Sequence, residues 1–151
     1  MTPHGRGLKV LVADADRTVL ELIQIRLDVA GYHACIERSG PAVLEVLKNI
    51  RPGVMILDAD LPEMNGFEVL ETLAKRNEKL PFPTLFVGRK LGLDDVKRAI
   101  GLGARDCMAK PFSGAQVLER VSRMLKPATV APPAIRRPFF VDAPGLPGAS
   151  A

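Results

Sequence analysis

Val54-Met55-Ile56-Leu57-Asp58-Ala59-Asp60-Leu61-Pro62-Glu63-Met64-Asn65-Gly66 is the stretch on which the fold turns. Four successive apolar residues closed by a carboxylate, then a proline and a glycine, read as a buried strand that delivers an acid to a loop. In an open α/β sheet, sites are built at the C-terminal edge of such strands. Two other stretches end in the same way. Leu8–Ala13 leads into Asp14 and Asp16, and Asp106–Ala109 leads into Lys110-Pro111. Two acid-bearing ends and one lysine-bearing end point to a single pocket.

Outward from this core the pattern alternates. Strands are expected at Leu8–Ala13, Tyr32–Glu37, Val54–Leu57, Phe82–Val87 and Asp106–Ala109. Helices are expected at Arg17–Ala30, Pro41–Ile50, Gly66–Arg76, Leu93–Leu102 and from Ser113 to about Lys126. Asp16, Asn65 and Ser113 are suited to N-caps, Pro41 to a first helical position, and Gly31 and Gly103 to helix ends. Leu20, Ile23, Leu27 and Ala30 share one face of the first helix. Five strands alternating with five helices imply a parallel α/β sheet covered on both faces, with right-handed crossovers.

A chain of 151 residues, 47% of them apolar, makes one domain with a real core. Its organisation reads as an N-terminal extension (1–7), a domain (8–126) and a tail (127–151). The tail holds six of the thirteen prolines and has no helical or strand period, so it reads as disordered. One island interrupts it: Ile135-Arg136-Arg137-Pro138-Phe139-Phe140-Val141. This is either a sticky patch in a linker or a short motif that docks on a partner or on the domain. No apolar run of about 18 residues suggests a membrane span, and residues 1–7 lack a signal-peptide core. Cys35 and Cys107 have no metal-ligand spacing and read as reduced thiols of a cytoplasmic protein. A net charge of +4 is too mild to indicate nucleic acid. The tail is also too short and proline-rich for a helix-turn-helix, so DNA is not an expected partner.

With these residues in register, the chain resembles the receiver domain of bacterial two-component response regulators over about residues 8–126. Asp58 matches the phosphoacceptor, with Pro62 and Gly66 four and eight residues later. Lys110-Pro111-Phe112 begins fifty-two residues after Asp58, preceded by Gly103-Ala104. The resemblance implies a flavodoxin-like, doubly wound (βα)5 sheet of strand order 2-1-3-4-5, with Pro111 in a cis peptide. It implies that Asp58 attacks a phosphoryl group carried by a histidine kinase or phosphotransfer protein. Mg²⁺ and Lys110 would neutralise the transferred charge. It implies a signalling module without an output domain, acting on a downstream signalling protein, with residues 93–126 as a homodimer or output surface.

The sequence departs from that pattern at four places. Asp14 matches the first acid after strand one, but Ala15 stands where the more direct metal ligand is expected. Gly88 replaces the hydroxyl-bearing Ser or Thr, Cys107 replaces the aromatic of the fifth strand, and Arg89 replaces a small residue. Mg²⁺ binding through Asp14, Asp58 and Asp60 is therefore expected to be weakened, with Asp16 and Asp60 left as sources of water-mediated contact. The chain then has two readings. One is an atypical receiver that signals by protein–protein interaction; the other is a working Mg²⁺-dependent phosphoacceptor with no enzymatic activity beyond Asp58's own phosphorylation and dephosphorylation. Arg89 also has two: a guanidinium standing in for the metal among the acids, or a side chain in solvent. For Lys110 they are a phosphate contact and an ion pair with Asp58 or Asp14.

Overall fold

A computed structural model describes residues 7–77 and 80–125. The elements run β1 (Lys9–Ala13), α1 (Arg17–Val29), β2 (His33–Glu37), α2 (Gly40–Val46), β3 (Val54–Asp58), α3 (Gly66–Arg76), β4 (Thr84–Gly88), α4 (Leu93–Gly101), β5 (Asp106–Ala109) and α5 (Gly114–Leu125). All neighbouring strands pair in parallel, in the order β2-β1-β3-β4-β5. This is the flavodoxin-like sheet expected from the sequence. Residues 1–6, Lys126 and the tail 127–151 lie outside the described residues.

Strand alternation divides the core in two. Val10, Val12, Val54, Ile56, Leu85 and Val87 face α1 and α5, meeting Leu20, Ile23, Leu27, Val117 and Val121. Leu11, Met55, Leu57 and Phe86 face the other helices, meeting Val43, Val69, Leu70 and Ala99. β3 is buried along its whole length, which explains its unbroken apolar run.

Local signals set most boundaries. Asp16 caps α1 by accepting from the Thr18 and Val19 amides, and Gly31 comes just after the helix at φ +92°. Asn65 and Glu68 form a reciprocal capping box at α3. Ser113 and Gln116 make the same pair of bonds at the start of α5. The Lys110-Pro111 peptide is cis.

The largest departure is α2, which ends at Val46 rather than continuing to Ile50. The Lys48 and Asn49 amides donate three residues back, to Glu45 and Val46, so the backbone tightens into turns. Arg51, next in line, precedes Pro52 and is disfavoured from helical conformation. β4 is displaced from Phe82–Val87 to Thr84–Gly88. Pro83 has no amide to donate, although its carbonyl accepts from Met55. Tyr32 is buried but precedes β2, because its amide is bonded to the Leu27 carbonyl at the end of α1.

Candidate functional site

The C-terminal edges of β1, β3 and β5 converge. Asp14 comes directly after β1, Asp58 ends β3 and Lys110 comes directly after β5, so a parallel sheet brings three residues distant in sequence to one edge. The register is held by main-chain bonds beyond the strands. The Ala59 amide donates to Val87 O, the Lys110 amide to Gly88 O, and the Asp14 amide to Glu37 O.

Asp14 and Asp58 are both buried, at 2% and 3% exposure. Their common partner is the Lys110 ammonium, 2.7 Å from Asp14 Oδ2 and 3.3 Å from Asp58 Oδ2. The remaining oxygens are held by the backbone. Asp14 Oδ1 accepts from the Asp16 amide at 2.9 Å and Asp58 Oδ1 from the Asp60 amide at 3.3 Å. Asp14 Oδ2 accepts no well-aligned hydrogen bond, so its compensation is the adjacent charge of Lys110. Burial raises the Asp58 pKa above the usual carboxylate range, and the charge of Asp14 adds to this. The Lys110 charge and the Asp60 amide act in the opposite direction.

The loop after Asp58 is folded tightly. The Gly66 amide returns to Ala59 O at 3.0 Å, and Glu63 takes a left-handed φ of 69°. A Cβ on Gly66 would collide with the Asp58 carbonyl and lie 2.9 Å from both Ala59 Cα and Phe86 Cε1. Glycine is therefore required for α3 to start this close to the acid.

A cavity of about 200 Å³ opens over these groups, lined by Asp14, Ala15, Asp16, Asp58, Asp60, Arg89 and Lys110. Asp14, Asp16, Asp58, Asp60, Arg89 and Lys110 thus meet at one place, while Gly88 and Pro111 line two neighbouring cavities and Cys107 is not in this lining. Asp60 and Arg89 are on the exposed rim. Arg89 is 3.8 Å from Asp16 Oδ2, with its side chain 70% exposed, and makes no ion pair with Asp14, Asp58 or Asp60 among the described residues. The cation between the two buried acids is Lys110. Ala15 offers the cavity only a methyl group and a carbonyl, and the carbonyl accepts from Arg38 at 2.9 Å. Cys107 is half-buried on β5, with its thiol pKa raised by burial and then by Asp106.

Leu91 is a neighbour of Gly88, beside the site, that the sequence does not single out. Its Cδ2 and Cγ lie 3.1 and 3.2 Å from where a Cβ on Gly88 would be, and Ala59 Cβ lies 3.2 Å from the same point. A side chain at position 88 would be crowded by Leu91 and Ala59. The available signal is an isolated apolar residue straight after Arg89-Lys90. A second, more apolar cavity of about 400 Å³ adjoins the first, walled by Val19, Leu22, Pro111 and Phe112, with Asp16, Arg89 and Lys110 at its polar side.

The acids that could hold a divalent metal here are Asp14, Asp58, Asp16 and Asp60. Mg²⁺ in phosphate chemistry takes one or two carboxylates and completes its shell with water and phosphate oxygens. Here two buried carboxylates are present, both paired to Lys110, with Asp16 half-buried and Asp60 exposed at the rim. No group of three or more acidic, histidine or cysteine side chains is placed to hold a metal among the described residues.

The chain is similar to known proteins. The chain is 34% identical over 125 residues to the alkaline phosphatase synthesis transcriptional regulatory protein PhoP of Bacillus subtilis, covering 83% of this chain and 51% of that protein. It is 29% identical over 119 residues to the cell cycle response regulator CtrA of Brucella ovis, covering 79% and 50%. The chain therefore spans about half the length of these relatives. Among solved structures, the receiver domain of Francisella response regulator 1452 superposes with a TM-score of 0.73 at 24% identity, over 79% of this chain and 97% of that one. Vibrio cholerae CheY4 gives 0.73 at 24% identity, over 79% and 99%. The family model for the response regulator receiver domain matches residues 10–122, a span that contains Asp14, Asp58 and Lys110 at their three strand ends, and the chain belongs to that family.

Proposed function

We propose that this receiver domain is an atypical one, which signals chiefly by binding protein partners and whose Mg²⁺-dependent phosphorylation at Asp58 is weak. The observation that carries this reading is the state of the sheet edge. Lys110 is already engaged by both Asp14 and Asp58, and position 88 carries no hydroxyl, with Leu91 packed 3.1 Å from where a side chain there would begin. In phosphoryl transfer most of the catalysis is electrostatic stabilisation of the moving charge. A site with Ala15 in place of an acid and Gly88 in place of a hydroxyl has lost part of that stabilisation. The reading takes the domain as residues 8–126, with a histidine kinase or phosphotransfer protein upstream and a signalling protein downstream. A cytoplasmic location and a homodimer through residues 93–126 are parts of the same proposal.

A second reading has a specific observation in its favour. Asp58, Asp14 and Lys110 lie together at the sheet edge, with both acids within ion-pair distance of the lysine, a grouping that suits nucleophilic attack on a phosphoryl group. On this reading Asp58 is a working phosphoacceptor, with Asp14 and Asp60 completing a Mg²⁺ site. Mg²⁺ titration by calorimetry separates the two. The atypical reading expects weak wild-type binding, and tighter binding by about tenfold or more in Ala15→Asp. Wild-type protein that binds Mg²⁺ as tightly as Ala15→Asp contradicts it.

A further inference from the structure

α1 carries two apolar rows. The inner row, Leu20, Ile23 and Leu27, is buried in the core. The outer row, Leu22, Ile25 and Val29, lies on the opposite side, with exposures of 40%, 62% and 77%. Helical geometry places these three within about 60° of one another. At its upper end Leu22 is also a wall of the 400 Å³ cavity beside Phe112. A single exposed aliphatic side chain needs no explanation, but a row that runs into an apolar cavity does. One border of the row is acidic. Glu21 and Asp28, seven residues apart and both exposed, stand on the same side, and neither is ion-paired among the described residues.

The chain contains a complement to this surface. Ile135-Arg136-Arg137-Pro138-Phe139-Phe140-Val141 sets apolar and aromatic residues around two adjacent cations. α5 ends at Leu125, which packs on the same core as Ala30 at the end of α1. Tyr32, just beyond α1, places its hydroxyl 3.5 Å from that of Ser122 in α5. The chain therefore leaves α5 beside the lower end of the outer row. Residues 126–134 can span up to about 30 Å, whereas Leu22 to Val29 occupies only about 10 Å of helix. We propose that the segment Ile135–Val141 docks on the outer face of α1. Phe139 and Phe140 would cover Leu22, Ile25 and Val29, and Arg136 and Arg137 would pair with Glu21 and Asp28.

Area decides against a second copy as the occupant. The three side chains offer about 300 Å² of exposed surface, against about 800 Å² per partner in a stable interface. A tethered segment needs less, because its local concentration is on the order of millimolar.

Methyl NMR of the full chain tests the proposal. Aromatic rings over the row shift the Leu22, Ile25 and Val29 methyl signals, independently of protein concentration, and Phe139→Ala/Phe140→Ala abolishes the shifts. Arg136→Glu/Arg137→Glu also loses them, and adding Glu21→Arg/Asp28→Arg restores them. The core methyls of Leu20 and Ile23 report the fold of each variant. Identical Leu22, Ile25 and Val29 signals in wild type and the phenylalanine variant overturn the proposal. Shifts that grow with protein concentration assign the row to a second copy and overturn it as well. Failure of the charge-reversed variant to regain the shifts overturns the arginine pairing.

Discussion

Lys110 holds the pocket together because two carboxylates are buried on either side of it. Its removal leaves Asp14 and Asp58 facing each other without a cation. Lys110→Ala is expected to destabilise the fold by about 3–5 kcal/mol at pH 7, the range for breaking a buried pair from one side. Urea unfolding measures this, and acidification should recover part of the loss as the acids protonate. Asp58 behaves oppositely. Its folded pKa is raised above the ordinary value of 3.8, so the folded state holds that proton to higher pH than the unfolded chain does. Stability is then lost as pH rises from the unfolded value through the folded one. Asp58→Asn should therefore be more stable than wild type at pH 7, with the difference fading towards pH 4. Equal stabilities across that range would contradict the assignment. At position 88 the constraint is steric. Gly88→Thr is expected to cost about 1–3 kcal/mol by overpacking, and Leu91→Ala in the same chain should relieve part of that cost in a double-mutant cycle. The sequence displays Gly88 as a lost hydroxyl, but Leu91's crowding of that position depends on a loop conformation that no periodicity reports.

At the scale of elements, legibility tracks the strength of local signals. β3 can be read because a strand buried on both faces has no polar positions. α3 can be read because Asn65, Gly66 and Glu68 fix its first turn within hydrogen-bond reach of one another. α2 reads too long because Val46 and Leu47 continue the apolar pattern, while the change to three-residue hydrogen bonds comes just ahead of Arg51-Pro52, where helix is disfavoured. β4 reads too early because Phe82 is buried without being in the strand. The start of α3 carries an element-scale prediction. Gly66→Ala would press a methyl group into the Asp58 carbonyl and Phe86, so α3 must withdraw from β3. A loss of about 1–3 kcal/mol by thermal or urea unfolding is expected. Asn65→Ala, which removes only the cap, should cost about 1 kcal/mol. If Gly66→Ala proves no more costly than Asn65→Ala, the close approach is not what holds α3 in place.

For the whole molecule, strand order converts three sequence-distant strand ends into one site, with α1 and α5 on one face of the sheet and the other helices on the opposite face. The sheet can be anticipated from alternation, and the convergence of Asp14, Asp58 and Lys110 from the strand ends. The sharing of Lys110 between both acids cannot, because it depends on a fraction of the length of one flexible side chain. Arg89 shows the same limit in reverse. Its position beside four acids invites a charge role, and its placement at the rim, with only Asp16 in range, is a property of side-chain direction. The central claim is that this edge supports little Mg²⁺-dependent phosphorylation. Intact-mass analysis after incubation with acetyl phosphate, with and without Mg²⁺ and beside Asp58→Asn, tests it most directly. The account predicts that folded wild-type protein gains little or no Mg²⁺-dependent phosphoryl adduct. A stoichiometric Mg²⁺-dependent adduct that disappears in Asp58→Asn would contradict it and establish a working phosphoacceptor.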